Sequence, residues 1–179
     1  MIYMGIDQSL TGTGVAIFDG SAFHYHLFGT EKTKKTKCPT IDKTRRLMTL
    51  KSELRAIIEQ YKPDLIGMEG MAFGAQGSAI FDIGGLSHIF RELFIEMDIK
   101  FIIAPPTVIK KYWTDKGNAN KLLMIETAEL RGVEIPFMKK YKEFPEKKFD
   151  DNVVDAHAIC QFLTEHEKHL ENIECSWDM

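Results

Sequence analysis

The feature that most constrains the fold is the order of short apolar runs along the chain. Three runs come first, separated only by turn-forming pairs such as Asp19-Gly20, at residues 1–7, 13–18 and 23–28. Such close spacing predicts an antiparallel meander. Two later runs, at residues 64–69 and 99–104, each follow a helical segment, as parallel strands require. The order predicts an α/β fold with a five-stranded mixed sheet flanked by helices.

Helical segments fill the spaces between these runs. Leu47, Leu50, Leu54 and Ile57 recur every three or four residues, which predicts an amphipathic helix over residues 40–60. Further helices are predicted at residues 78–97, 107–113, 119–130 and 150–165, with a charged loop at 139–148. Because 179 residues with 44% hydrophobic content can bury one core, residues 1–179 are predicted to form a single domain.

The charge distribution bears on nucleic-acid binding. The net charge of −3 argues weakly against a nucleic-acid partner, because phosphate binding draws on Lys and Arg. Residues 31–55, however, carry nine basic and three acidic side chains, a local net charge of +6. This segment is either a DNA-binding face or a solvated charged helix, and the sequence leaves both interpretations open.

Cysteine content and hydropathy bear on the compartment. Cys38, Cys160 and Cys175 are widely spaced and form no Cys-x-x-Cys pair, so neither a disulfide framework nor a thiolate zinc site is predicted. The first residues lead into an apolar run without a basic leader, and no apolar stretch approaches the ~18 residues that span a bilayer. We therefore expect a soluble cytoplasmic protein with no membrane partner.

Four acidic residues occupy positions suited to metal chemistry. Asp7 ends the first predicted strand and Glu69 the fourth, and ligand sites in open sheets gather at such strand ends. Asp151 and Asp155 are four residues apart and share one face of the last helix. Carboxylates that converge repel each other unless a hard cation such as Mg²⁺ or Mn²⁺ neutralises them. The alternative is that each acid separately forms a turn, a strand end or a helix cap.

Four sequence blocks in order carry a family resemblance. They are Met-Gly-Ile-Asp-Gln-Ser-Leu-Thr-Gly-Thr-Gly at 4–14, Met-Glu-Gly at 68–70, the run from Val-Ile-Lys at 108–110 to Gly-Asn-Ala-Asn-Lys at 117–121, and Asp-Ala-His-Ala-Ile at 155–159. Together they cover nearly the whole chain and resemble the RuvC-type Holliday-junction resolvases, most closely the phage-encoded branch.

The resemblance implies an RNase H-like fold and a homodimer that nicks opposed strands of branched DNA with Mg²⁺. It further implies a two-metal mechanism with a carboxylate set that matches Asp7, Glu69 and Asp155. Two lysines that approach the scissile phosphate in the family match Lys110 and Lys121. For a phage-encoded protein, the expected compartment is the cytoplasm of the host cell.

The fourth metal ligand is a departure from the family pattern. Family members usually carry it three residues before the Asp-Ala pair, where this chain has Asn152. Positions three and four residues back both share a helix face with Asp155, so either Asp151 or Asn152 fits. We favour Asp151 as both ligand and catalytic residue, with Asn152 as the alternative. Asp150 is predicted to cap the helix instead.

A basic and aromatic set is predicted to contact DNA. Its basic members are Lys32, Lys34, Lys35, Lys37, Arg45, Arg46 and Lys116. In the resembling family, an aromatic near the position of Phe73 stacks on an unpaired base beside the crossover, and such stacking contributes ~1–3 kcal/mol per base. Packing of Phe73 in the core is the alternative.

Two other functions compete with nuclease activity. A Gly-Ile-Asp strand followed by a Thr/Gly turn also begins nucleotide-binding phosphotransferases of the actin and hexokinase type, but these need a duplicated domain and a second phosphate loop. A junction-binding module with little catalytic activity is the other alternative, because Asn152 replaces an expected acid. Mg²⁺-dependent nicking of a junction would distinguish the enzyme from the binding module.

Overall fold

The structure is a computed structural model that describes residues 1–31, 38–70 and 79–170, with side chains in the last range from 80 to 166. Its elements in chain order are β1 (Tyr3–Asp7), β2 (Thr13–Phe18), β3 (Phe23–Phe28), α1 (Pro39–Tyr61), β4 (Leu65–Glu69), α2 (Ala79–Glu96), β5 (Lys100–Ala104), α3 (Pro106–Thr114), α4 (Lys121–Leu130), β6 (Met138–Lys140), β7 (Lys147–Phe149) and α5 (Asp151–Leu170).

The main sheet has five strands in the order β3-β2-β1-β4-β5. β1 pairs antiparallel with β2, and β2 pairs antiparallel with β3, through the turn that includes Asp19 and Gly20. β1 pairs parallel with β4, and β4 pairs parallel with β5, each after a helical crossover. The predicted mixed sheet, with its meander and two parallel additions, is therefore confirmed.

Helices cover both faces of this sheet. Along β1, Met4 and Ile6 point to a core that α1 and α2 close with Leu50, Leu54, Leu86 and Phe90. On the opposite face, Tyr3 packs with α5 residues such as Cys160 and Leu163. Because side chains alternate along a strand, Asp7 lies on the same face as Tyr3, towards α5.

The prediction of a charged loop at residues 139–148 is wrong. Residues 139–148 take part in a two-stranded antiparallel hairpin in which β6 pairs with β7, with Lys139 opposite Lys148. The three-residue strands are shorter than the runs that periodicity detects, and their lysines leave too few apolar residues for a strand-like alternation to be recognised. The backbone N–H of Asp150 donates to the carbonyl of Phe137 at 2.9 Å, which attaches the hairpin to the start of α5.

Two expectations about the chain as a whole can be compared with the described residues. Cys38 is exposed and Cys160 is buried, whereas Cys175 lies outside the described residues. Across residues 1–31, 38–70 and 79–170, no helix combines the length and apolar character needed to cross a membrane.

Candidate active site

Three carboxylates converge where two parallel strands end beneath a helix. Asp7 is the last residue of β1 and Glu69 the last residue of β4, the strand that pairs with β1. Asp155 comes from the second turn of α5, which packs across the same strands. Three acids from segments far apart in sequence thereby interact, as the positions of the strand ends predicted.

Glycines allow α5 to lie this close to the sheet. A Cβ atom at Gly5 would stand 2.2 Å from the carbonyl oxygen of Ala156, and one at Gly14 would stand 2.2 Å from that of Asn152. Any larger residue at either position would push the first turns of α5 away from β1 and β2. Gly5 and Gly14 therefore fix how near Asp155 comes to Asp7.

These acids line a cleft of about 310 Å³. Its other lining residues include the predicted lysines and both candidates for the fourth metal ligand. The complete lining is Asp7, Gln8, Ser9, Glu69, Lys110, Lys121, Met124, Asp151, Asn152 and Asp155. Six side chains that the sequence singled out for catalysis thus share one cavity with Asn152. Gln8 is an additional polar group that sequence reasoning missed, although it directly follows Asp7.

Burial and mutual repulsion make the three carboxylates hard to ionise. Burial, followed by the charges of Asp155 and Glu69, raises the pKa of Asp7 well above its ordinary value. Burial also raises the pKa of Glu69, opposed by the charge of Lys110. Burial and the charge of Glu69 raise the pKa of Asp155 to about 7. A bound cation would reverse this preference, because it stabilises the ionised forms.

Two buried oxygens of the cleft lack hydrogen-bond donors. Within the described residues, Oδ1 of Asp155 and Oε1 of Gln8 accept no hydrogen bond, although the Gln8 amide donates to the carbonyl of Glu69 at 3.1 Å. An unsatisfied buried acceptor is unfavourable, and oxygen donors are the preferred ligands of Mg²⁺. The donor set therefore fits a hard divalent ion. Over the described ranges, no three acidic, histidine or cysteine side chains are arranged closely enough to hold a metal ion as they stand.

The raised pKa of Asp155 predicts an unusual dependence of stability on pH. A carboxyl whose folded-state pKa exceeds its unfolded value destabilises the fold progressively as pH rises from about 4 to about 7, by up to about 1.4 kcal/mol per pH unit. In metal-free buffer, Asp155→Asn should therefore gain stability relative to the wild type between pH 5 and pH 7.5, measured by urea unfolding.

The stability of the variant must be compared with that of the wild type at each pH, because the titration of His157 changes stability with pH in the opposite direction. Burial lowers the pKa of His157 to about 4, so its contribution to stability is lost as pH falls through the same range. His157 is present in both proteins and cancels in the difference. A stability difference between wild type and Asp155→Asn that stays constant with pH would contradict the assigned environment of Asp155.

Asp151 has a different environment from the other three acids. Lys121 donates to its Oδ2, and Lys139 and Tyr141 lie 2.7 and 2.8 Å from its Oδ1. Burial opposes ionisation of Asp151, but these hydrogen bonds outweigh burial and hold its pKa below the ordinary value. Asp151 is thus an ionised carboxylate already engaged by two ammonium groups. Asp150, as predicted, caps α5 by accepting the N–H of Asn152 at 3.0 Å.

The two predicted lysines reach the cleft from neighbouring helices. Lys110 lies on α3, and Lys121 is the first residue of α4, which Asn120 caps through its side chain. The indole N–H of Trp113 donates to the carbonyl of Met124 at 3.1 Å and joins the two helices. Trp113 is buried in the core.

Much of the basic face of α1 is paired with acids of α2. Lys43 contacts Asp82, Lys51 contacts Glu92 and Glu96, and Arg55 also contacts Glu96. These ion pairs reduce the positive charge that residues 38–55 offer to DNA, and they favour the interpretation of this part as a solvated charged helix.

The predicted DNA contacts have mixed locations. Arg45 is exposed, Arg46 donates to Oγ1 of Thr30 at 2.8 Å, and Lys116 is exposed in the loop between α3 and α4. The remaining members of the set lie outside the described residues, namely Lys32, Lys34, Lys35, Lys37 and Phe73.

Comparison with known proteins identifies the family. The family model described as "Crossover junction endodeoxyribonuclease RuvC" matches residues 3–129. The RuvC protein of Pseudothermotoga lettingae is 30% identical over 123 residues, which cover 68% of this chain and 74% of that protein. The RuvC protein of Caldicellulosiruptor saccharolyticus is 27% identical over 170 residues, which cover 92% of this chain and 93% of that protein.

Solved structures confirm the predicted fold. Thermus thermophilus RuvC in complex with a Holliday junction substrate superposes with a TM-score of 0.66 at 14% identity, covering 94% of this chain and 96% of that one. The yeast mitochondrial Holliday junction resolvase Ydc2 gives a TM-score of 0.55 at 13% identity, covering 96% and 84%. The family match over most of the chain argues against the phosphotransferase alternative. This chain belongs to the RuvC family of crossover junction endodeoxyribonucleases.

Proposed function

We propose that this protein is a Mg²⁺-dependent, structure-selective endonuclease that nicks opposed strands of four-way DNA junctions and other branched DNA. One observation carries the proposal: the buried Asp7 and the half-buried Glu69 and Asp155 form a carboxylate cluster in a cleft that also contains Lys110 and Lys121. Without a cation, mutual repulsion would destabilise the ionised carboxylates. With a hard cation and the flanking lysines, the same carboxylates suit phosphodiester hydrolysis.

The acidic residues of the cleft would bind metal ions, and its lysines would contact the DNA phosphate. When bound, two Mg²⁺ ions would supply Lewis-acid activation of a water and would stabilise negative charge on the leaving oxygen of a phosphodiester. Asp7, Glu69 and Asp155 would hold the ions, with Mn²⁺ as a substitute, and Asp151 or Asn152 would complete the set. Lys110 and Lys121 would donate hydrogen bonds to phosphate oxygens as negative charge develops on them.

A cleavage assay on matched substrates tests the proposal. A four-way junction, a three-way junction and a linear duplex of the same sequences are incubated with the protein, with Mg²⁺ present or replaced by a chelator. We expect paired nicks in the branched DNA, none in the linear duplex and none without metal. Tight junction binding without nicking in Mg²⁺ or Mn²⁺ would instead support the junction-binding module.

We further predict a homodimer, because coordinated incision of two opposed strands needs two active sites related by a two-fold axis. Each subunit would then contribute one single-domain chain of residues 1–179. Sedimentation velocity, with the free protein and with the protein on a four-way junction, measures the assembly directly. A monomer under both conditions at assay concentrations would contradict this prediction.

A further inference from the structure

The β6–β7 hairpin brings two residues to the active site that no sequence motif indicated. Lys139 and Tyr141 are two residues apart and approach the same oxygen of Asp151. The ammonium group of Lys139 also lies 5.5 Å from the centre of the Tyr141 ring. The hairpin therefore presents a cation and a hydroxyl to one buried carboxylate at the edge of the cleft.

Tyr141 holds both the main chain and the side chain of Asp151. Its hydroxyl accepts the backbone N–H of Asp151 at 2.8 Å and lies 2.8 Å from Oδ1 of Asp151 and 2.9 Å from the carbonyl of Phe149. These contacts fix the first residue of α5 in place. Only 4% of the Asp151 side chain is exposed, so water cannot replace them freely.

Asp151 in turn holds Lys121, a flexible side chain that is 71% exposed. A free lysine loses rotamer entropy when it is fixed in one position. The contact with Oδ2 of Asp151 restricts the Lys121 ammonium group before DNA binds, and it does so at the cleft that contains Glu69 and Asp155. An ammonium group has three donors, so those not used by Asp151 are available to a phosphate oxygen.

We propose that Asp151 is a positioning residue for Lys121 and that Tyr141 and Lys139 of the hairpin hold Asp151 for this purpose. The proposal rests on the nuclease function proposed above and assigns Asp151 a role other than metal ligation. Metal ligation by Asp151 would bring a divalent cation against the two ammonium groups that Asp151 already contacts. Lys139 also lies 3.8 Å from Asp150, so its charge is shared between two carboxylates. Lys121 and the Tyr141 hydroxyl also contact Asp151.

The first test is Tyr141→Phe, which keeps the ring and removes the hydroxyl. The single-turnover cleavage rate at saturating junction should fall roughly 10-fold, as is typical when an outer partner of an active site is lost. Junction affinity should stay within about twofold, because Tyr141 carries no charge that DNA would bind. Tyr61→Phe is the matched control, since its hydroxyl bonds to His26 elsewhere on the protein.

A double-mutant cycle separates positioning from a general structural effect. If Tyr141 acts through Lys121, adding Tyr141→Phe to Lys121→Ala should slow cleavage no further, because the positioned group is already absent. Independent, multiplicative losses in the double variant would overturn the proposal. Equal rates for Tyr141→Phe and wild type would also overturn it.

Metal affinity decides between positioning and ligation for Asp151 itself. Asp151→Asn should slow cleavage roughly 100-fold while Mn²⁺ binding, followed by calorimetry without DNA, stays unchanged and junction affinity is not weakened. Asp150→Asn is the matched control, because an amide oxygen still caps the helix. Weaker Mn²⁺ binding by Asp151→Asn than by Asn152→Ala would make Asp151 a metal ligand and overturn the proposal. A wild type that cleaves no junction would instead refute the proposed nuclease function, whatever the variants do.

Discussion

Asp7→Asn should reduce junction cleavage by roughly 10³-fold or more, equivalent to about 4 kcal/mol in the barrier, while junction binding stays within about twofold. The amide keeps the shape of the side chain but removes one negative charge from the proposed metal site. Metal ions serve the chemistry, whereas Lys and Arg supply most of the affinity for DNA. Single-turnover cleavage and equilibrium binding, measured on the same junction in Mg²⁺, test the two halves of this prediction.

Glu69→Gln should behave in the same way, because Glu69 ends the strand that pairs with β1. Glu126→Gln is the matched control, since Glu126 is exposed on α4 and removes the same charge outside the cleft. Substantial residual nicking by Asp7→Asn would remove the basis for the metal site. Loss of binding in parallel with cleavage would show that the substitution disturbs the fold.

The second large effect is expected from the lysines of the cleft. Lys121→Ala should slow cleavage at saturating DNA by about 10²-fold, the typical loss when one donor to a developing negative charge is removed. Junction affinity should fall much less, because one phosphate contact is a small part of the total. Lys110→Ala should show the same division, since the charge of Lys110 acts on both Glu69 and Asp155.

Lys116 is a control for the two lysines of the cleft. It is exposed between α3 and α4, outside the cleft lining, so Lys116→Ala should alter binding and its salt dependence more than the rate. Rate and affinity that fall equally in Lys121→Ala would reduce Lys121 to a general phosphate contact.

Local patterns in the sequence were sufficient for most of the fold. The three runs of the meander, the 3.6-residue periodicity of α1 and the apolar strands β4 and β5 all appear within segments of 5 to 23 residues. Hydrophobic alternation and helical spacing operate over such lengths, so a mixed five-stranded sheet flanked by helices could be predicted from them. The β6–β7 hairpin was missed because three-residue strands rich in lysine carry too few apolar positions for any period to be visible.

The sequence by itself also predicted the acids and lysines that line the cleft, because strand ends and ordered motifs are local properties. Only the tertiary structure decided how readily each acid ionises. Asp7 and Asp155 are hard to ionise because of burial, which follows from α5 lying against Gly5 and Gly14, whereas Asp151 stays ionised because Lys121 and the hairpin residue Lys139 contact it. The ionisation of a carboxylate depends on burial and on charges within a few ångströms, and those neighbours come from residues distant in the chain.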